Sequence, residues 1–265
     1  MSRFFVSVFA TIFLMLSLAI TSLAWWQWLL AVFGAVFIGL SKTGIPGVGI
    51  FPVALFALVY PTTESVGLVL PLLICADIVA VKTYHRHAQW KYLWRLFPWA
   101  ATGIIIGFGA MEILESAILI RIIGATFLLM VALHLWRKKF LKDEEIPNGP
   151  VFSGAMGLSA GFATMVANAA GPVMTIYLLA MQLPKLEFIG TGAWYFFVLN
   201  TFKVPFQAQQ GNITARSLFI DGVLVPFVIA GAIWGKKILP KINQNLFEGL
   251  SLLFAVIVGI KLLFF

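Results

Sequence analysis

The stretch Gly39-Leu40-Ser41-Lys42-Thr43-Gly44-Ile45-Pro46-Gly47-Val48-Gly49 sits between two apolar runs, 25–40 and 47–60. Four glycines and a proline in eleven residues argue against a regular helix. Each flanking run is shorter than the roughly 20 residues a spanning helix needs. The expected structure is two half-helices meeting at a break. Whether they cross fully or form a re-entrant hairpin stays open. The second half-helix would present unsatisfied N–H groups and a partial positive charge at its start. Such an end is suited to binding an anion.

A second break follows later in the chain, at Met165-Val166-Ala167-Asn168-Ala169-Ala170-Gly171-Pro172. Pro172 belongs in the first turn of a helix, where its missing N–H costs little. Asn168 is placed to cap that turn or to bond a ligand. The plainer alternative for both breaks is a Gly/Pro hinge that permits tight packing and binds nothing.

Outward from the breaks, the chain is apolar. Hydrophobic residues make up 61% of the 265 and charged residues 11%. Soluble domains carry roughly 25% charged residues, and the mean hydropathy is +1.00. Further runs cover 4–23, 64–84, 92–110, 116–136, 151–166, 171–183, 187–206, 216–235 and 246–264. Continuous backbone in lipid is helical or part of a closed barrel, and these runs lack the alternation of barrel strands. The fold class is therefore all-α, a polytopic integral membrane protein. The run 4–23 is read as an uncleaved first helix, with a cleaved signal peptide as the alternative.

Shifted by 123 residues, the chain falls on itself. Gly34 meets Gly157, Pro61 meets Pro184, Gly67 meets Gly190 and Asp77 meets Asn200. The organisation expected is an N-terminal transmembrane helix at 1–24, a repeat at 25–142, a cytoplasmic linker at 143–150 and a second repeat at 151–265. Together they form one membrane domain with broken or re-entrant helices.

The net charge of +8 does not mark a nucleic-acid binder, because the basic residues cluster between apolar runs. With the N-terminus inside, Arg3, Lys82, Arg86, Lys91, Arg95, Arg137, Lys138, Lys139, Lys142, Lys185, Lys236, Lys237 and Lys241 are cytoplasmic. That is 13 of the 18 Lys and Arg. The repeat partner of basic loop 82–95 is the uncharged 207–215, which lies outside. Opposite placement of equivalent loops is the mark of an inverted-topology repeat.

The candidate binding residues follow from the breaks. Ser41, Lys42, Thr43, Gly44, Gly47 and Gly49 come from the first, and Asn168, Ala169 and Gly171 from the second. Thr191 and Trp194 share a helix face, as do Asn200 and Lys203. Lys42 and Lys203 together would neutralise a small anion held between the breaks at mid-membrane. For Lys203 the alternative is snorkelling to the outer interface. Asp77 is an intramembrane carboxylate, costing about 2.5–3.5 kcal/mol to insert. It is the candidate for proton coupling, with an Asp–Lys pair or a structural cap as the alternative. The three histidines, the single Cys75 and Asp143-Glu144-Glu145 form no metal-ligand pattern. No metal and no cofactor is expected.

These residues resemble a known family. Gly39 to Gly49 followed by Pro52, and Ala167 to Pro172 with Gly190-Thr191-Gly192-Ala193-Trp194, are similar to the sulfite exporter TauE/SafE family. The chain departs from the common glycine-run form of the motif, with Lys-Thr-Gly-Ile-Pro first and Asn-Ala-Ala-Gly-Pro second. The resemblance implies a multi-pass transporter of the bacterial inner membrane, carrying sulfite or an organosulfonate. Its partners would be that anion and the lipid bilayer, and a homo-oligomer stays open. A membrane-embedded enzyme and a non-transporting partner subunit are the competing readings.

Overall fold

The structure is a computed structural model. It describes residues 24–44, 52, 55, 56, 59, 62–115, scattered positions between 117 and 132, and 149–264. The expected helix at 4–23, Gly47 and Gly49, most of the run 116–136 and the linker 143–148 lie outside the described residues.

Eight helices are described with both ends. They are α1 (Trp25–Thr43), α2 (Thr62–Tyr84), α3 (Trp90–Ile113), α4 (Pro150–Ala167), α5 (Gly171–Ala180), α6 (Lys185–Gln209), α7 (Ala215–Ile238) and α8 (Gln244–Phe264). Among the described residues there is no strand. Among the described residues five spans are long and apolar enough to cross a bilayer: Trp25–Thr43, Val66–His87, Trp90–Ile113, Pro150–Ala167 and Ala215–Lys241. Their outward faces carry large apolar side chains such as Trp25, Phe33, Ile105, Ile113, Ile233 and Trp234. That distribution suits lipid as the solvent.

Two of the expected half-helices are longer than predicted. α1 continues to Thr43 and spans 19 residues, and α4 spans 18. Gly39 does not break α1, because tertiary packing uses it. A Cβ there would stand 2.0 Å from the Val228 carbonyl of α7. In the reverse direction, a Cβ on Gly231 would stand 2.0 Å from the carbonyl of Val36. Missing side chains on both helices let the two backbones approach closely, as small residues do in membranes. The same device joins α3 to α4, where Gly103 meets Leu158 and Gly161 meets Ala100. Among the described helices, α5, at 10 residues, is the short one of the kind expected after a break.

The centre is the pair α2 and α6, which run antiparallel. Gly67 near the start of α2 meets Asn212 just past α6, and Gly190 near the start of α6 meets Tyr84 and His87. α1 and α7 pack on each other and against α2, while α3 packs on α4 and against α6. The entry to α7 is held by a capping box: Ser217 N–H donates to Thr214 Oγ1 at 3.1 Å, and Thr214 N–H donates to Ser217 Oγ at 2.9 Å. Pro71, Pro98, Pro205 and Pro226 lie inside helices. Neighbouring helices accommodate such prolines.

Candidate functional site

Two lysines and one carboxylate are sealed within the seam of α1, α2, α4 and α6. Lys42, one residue from the end of α1, reaches Asp77 Oδ1 with its Nζ at 2.8 Å. The Asp77 side chain is fully buried and that of Lys42 is 11% exposed. Asn200 Nδ2 donates to the other carboxylate oxygen at 2.6 Å. The ammonium of Lys42 also stands 3.9 Å from the centre of the Phe196 ring, a cation–π contact. Asp77 is thus an Asp–Lys pair, the alternative weighed for it, and Lys42 already has its counter-charge.

Lys203, one turn beyond Asn200 on α6, is 0% exposed. It does not snorkel. Its Nζ donates to the Thr164 carbonyl at 2.9 Å, to Thr164 Oγ1 at 3.0 Å and to Asn168 Oδ1. Every one of these acceptors is neutral. Among the described residues no carboxylate comes within ion-pair distance of Lys203. Lys42, Lys203 and Asp77 together carry a formal charge of +1.

Asn168 ends α4 in the left-handed region, with φ 51° and ψ 29°. Asn tolerates that conformation better than most L-residues. The Asn168 N–H donates to the Thr164 carbonyl and the Ala169 N–H to that of Ala163, which closes the helix end. Its amide group also donates to the Val66 carbonyl at 2.9 Å. The chain then turns into α5, with Pro172 in the first turn as expected. Nothing lies within 4 Å of where a Gly171 Cβ would stand. The second break therefore sets the start of a short helix three residues from an acceptor of Lys203.

The described ends of the two breaks are held at opposite ends of α2. Tyr84 Oη donates to the Thr43 carbonyl at 2.9 Å, which holds the first break near the end of α2. Asn168 is held at Val66, near its start. Those two α2 residues are eighteen positions apart, about 27 Å of helix. The side chains of Lys42, Asp77, Asn200 and Lys203 occupy the space between. Lys203, not Lys42, is the lysine beside the second break.

Several predicted hydroxyls serve the backbone instead. Ser41 Oγ donates to the Ile38 carbonyl at 2.8 Å, and Thr43 Oγ1 donates to the Ala232 carbonyl of α7 at 2.7 Å. Gly44 packs on Gly235. Thr191 Oγ1 accepts from the Gln89 N–H at 2.9 Å and so ties α6 to the connection before α3. Trp194 faces Trp90, with ring centres 5.1 Å apart, and its buried indole N–H meets no described protein partner. Thr191 lies twelve residues, about 18 Å of helix, from Lys203. The structure does not bring Thr191 to Lys203.

Sequence reasoning missed Thr164, Phe196, Gln207 and Asp221. Gln207 is fully buried, and its Nε2 donates to the Met165 carbonyl at 3.3 Å. Thr164, Phe196 and Gln207 carried no signal of their own in apolar surroundings. Asp221 did: it is a carboxylate inside an apolar run, as Asp77 is.

No curated protein and no solved structure matches the chain. The family model described as sulfite exporter TauE/SafE matches residues 29–262, which takes in every helix of the seam except the first turn of α1, and the chain belongs to that family of membrane transporters.

Proposed function

We propose that this chain is a secondary transporter of a small anion of the sulfite or organosulfonate class, that it exports its substrate, and that it works by alternating access. The observation that carries the proposal is Lys203. A fully buried lysine amine with only neutral acceptors has no counter-charge in the structure, and its charged form calls for one. A carried anion meets that need. The start of α5 adds N–H groups and the positive end of its dipole beside Asn168. Lys42 and Asp77 form a second, internally balanced pair that holds the seam together.

An inverted repeat supports alternating access. Shifted by 123, α1 falls on 148–166, α2 on 185–207 and α3 on 213–236, close to α4, α6 and α7. The packing partners exchange in the same way, α7 with α1 and α3 with α4. The equivalent helices α2 and α6 meet antiparallel, as copies related by an axis in the membrane plane must.

The test is flux in proteoliposomes with sulfite, an alkyl sulfonate, sulfate and chloride. Sulfite or the sulfonate is expected to move and chloride not. Lys203→Met, which keeps the length of the side chain without its charge, is expected to abolish that flux while the protein still elutes as a folded species. Unchanged flux in the Lys203→Met protein would remove the basis of the proposal, and so would wild-type protein that moves none of these anions.

A further inference from the structure

Among the described residues, Asp221 is the one buried charged side chain that the site does not use. It sits in α7, two turns from the capping box, and is 3% exposed. Neither carboxylate oxygen has a hydrogen-bond partner among the described residues. Its helix neighbours Ile220 and Leu224 are buried in the apolar cluster formed with Ala31, Ala35, Leu68, Val69 and Leu72. A bare carboxylate in such a place is costly, and groups of this kind neutralise themselves by taking up a proton.

We propose that Asp221 is the proton-binding site that couples transport to the proton gradient. The inference rests on the transport reading above. Asp77 is less suited to the role, because Lys42 and Asn200 already stabilise its charged form. Asp221 carries a proton in the conformation described here and releases it when the movement of α7 against α1 and α2 wets the pocket. Uptake converts one carboxylate and one proton into a neutral acid, so a proton carried inward on the return step lets an inward proton gradient drive the anion outward. A metal cation needs several oxygen ligands, whereas the apolar neighbours of Asp221 offer none, and this favours the proton.

The titratable groups on the packed elements are few. α1 offers Lys42, which is paired with Asp77. α2 offers Cys75, Asp77, Lys82 and Tyr84, besides Glu64, whose side chain lies outside the described residues. Of these, Cys75 is a partly buried free thiol. Tyr84 bonds Thr43, and Lys82 is exposed. On α7 itself Arg216, Lys236 and Lys237 are exposed, as is Lys241 in the turn that follows.

The experiment uses the full chain in lipid bilayers. Infrared spectroscopy should show a protonated-carboxyl C=O band in the wild type at neutral pH that is absent from Asp221→Asn. In proteoliposomes, Asp221→Asn should still exchange labelled sulfite or sulfonate across the membrane at a rate within about threefold of wild type, an estimate reflecting an uncharged near-isostere. It should fail to accumulate the anion under an imposed pH gradient, and Asp221→Glu should restore part of that accumulation. Three results overturn the inference: no carboxyl band attributable to Asp221, gradient-driven accumulation intact in Asp221→Asn, or loss of exchange and accumulation together. If the wild type transports no anion, the transport reading fails, while the infrared band still reports whether Asp221 holds a proton.

Discussion

Asp77 and Asn200 touch across the centre of the protein, 2.6 Å apart, although 123 residues separate them. The same offset aligns the two halves of the chain. Two equivalent positions of a repeat touch only at the axis that relates the copies. The axis proposed here therefore passes between a carboxylate and its near-isosteric amide. One copy contributes the charge and the other a donor for it. Lys42 and Lys203 flank this contact but are not equivalents of one another under the 123-residue shift, so the charge in the seam is asymmetric about the proposed axis.

That asymmetry makes the Lys42–Asp77 pair separable from the proposed anion site at Lys203. Asp77→Ala leaves the Lys42 ammonium almost buried and unpaired, at an expected cost of about 3–5 kcal/mol. Lys42→Met alone strands the carboxylate instead. The double variant Lys42→Met/Asp77→Ala removes both charges and should be more stable than Asp77→Ala. Thermal unfolding of the four proteins in one detergent gives the cycle. Additive losses would show that the pair contributes no coupling.

Asn168 has a backbone role and a side-chain role, and two substitutions divide them. Asn168→Gly keeps the left-handed geometry but loses the bonds to Val66 and Lys203. Asn168→Ala loses the same bonds and adds backbone strain of about 1–2 kcal/mol. The alanine variant is expected to melt below the glycine variant, with equal anion binding in both. Equal melting temperatures would show that the turn after α4 does not need its left-handed residue.

The contact between α1 and α7 predicts which glycines matter. Gly39→Ala and Gly231→Ala each place a methyl group 2.0 Å from a backbone oxygen. The helices must move apart, at an expected cost of about 1–3 kcal/mol. Gly249→Ala meets nothing within 4 Å among the described residues and should be neutral or stabilising by up to about 1 kcal/mol. Thermal melting of the three variants is the check. Gly39→Ala as stable as Gly249→Ala would contradict the close approach.

These glycines also mark where sequence reading loses its grip. Helix positions were legible because apolar runs in lipid admit one backbone solution. The end of α1 was not. Gly39 and Gly44 read as breakers by local propensity, while the structure uses both for contact with a helix some 190 residues away. Lys203 and Asn168 were legible as polar groups in apolar runs, but their contact joins helices whose register sequence alone does not set. Asp221 obeys the same rule as Asp77, being a carboxylate inside the apolar run 216–235.

The antiparallel meeting of α2 and α6 predicts the sidedness of two turns. His87 follows the end of α2 and Asn212 follows the end of α6, so the two lie at opposite ends of the pair. Lys82, Arg86, Lys91 and Arg95 surround the first, which puts it on the cytoplasmic side by the positive-inside rule. The sequence has a single cysteine, so Cys75→Ala supplies a thiol-free background. On it, His87→Cys should react with a membrane-impermeant maleimide only in inside-out vesicles. Asn212→Cys, only partly exposed, should react more slowly and only in right-side-out cells. Labelling of both from one side would break the antiparallel pair, and with it the inverted repeat on which alternating access rests.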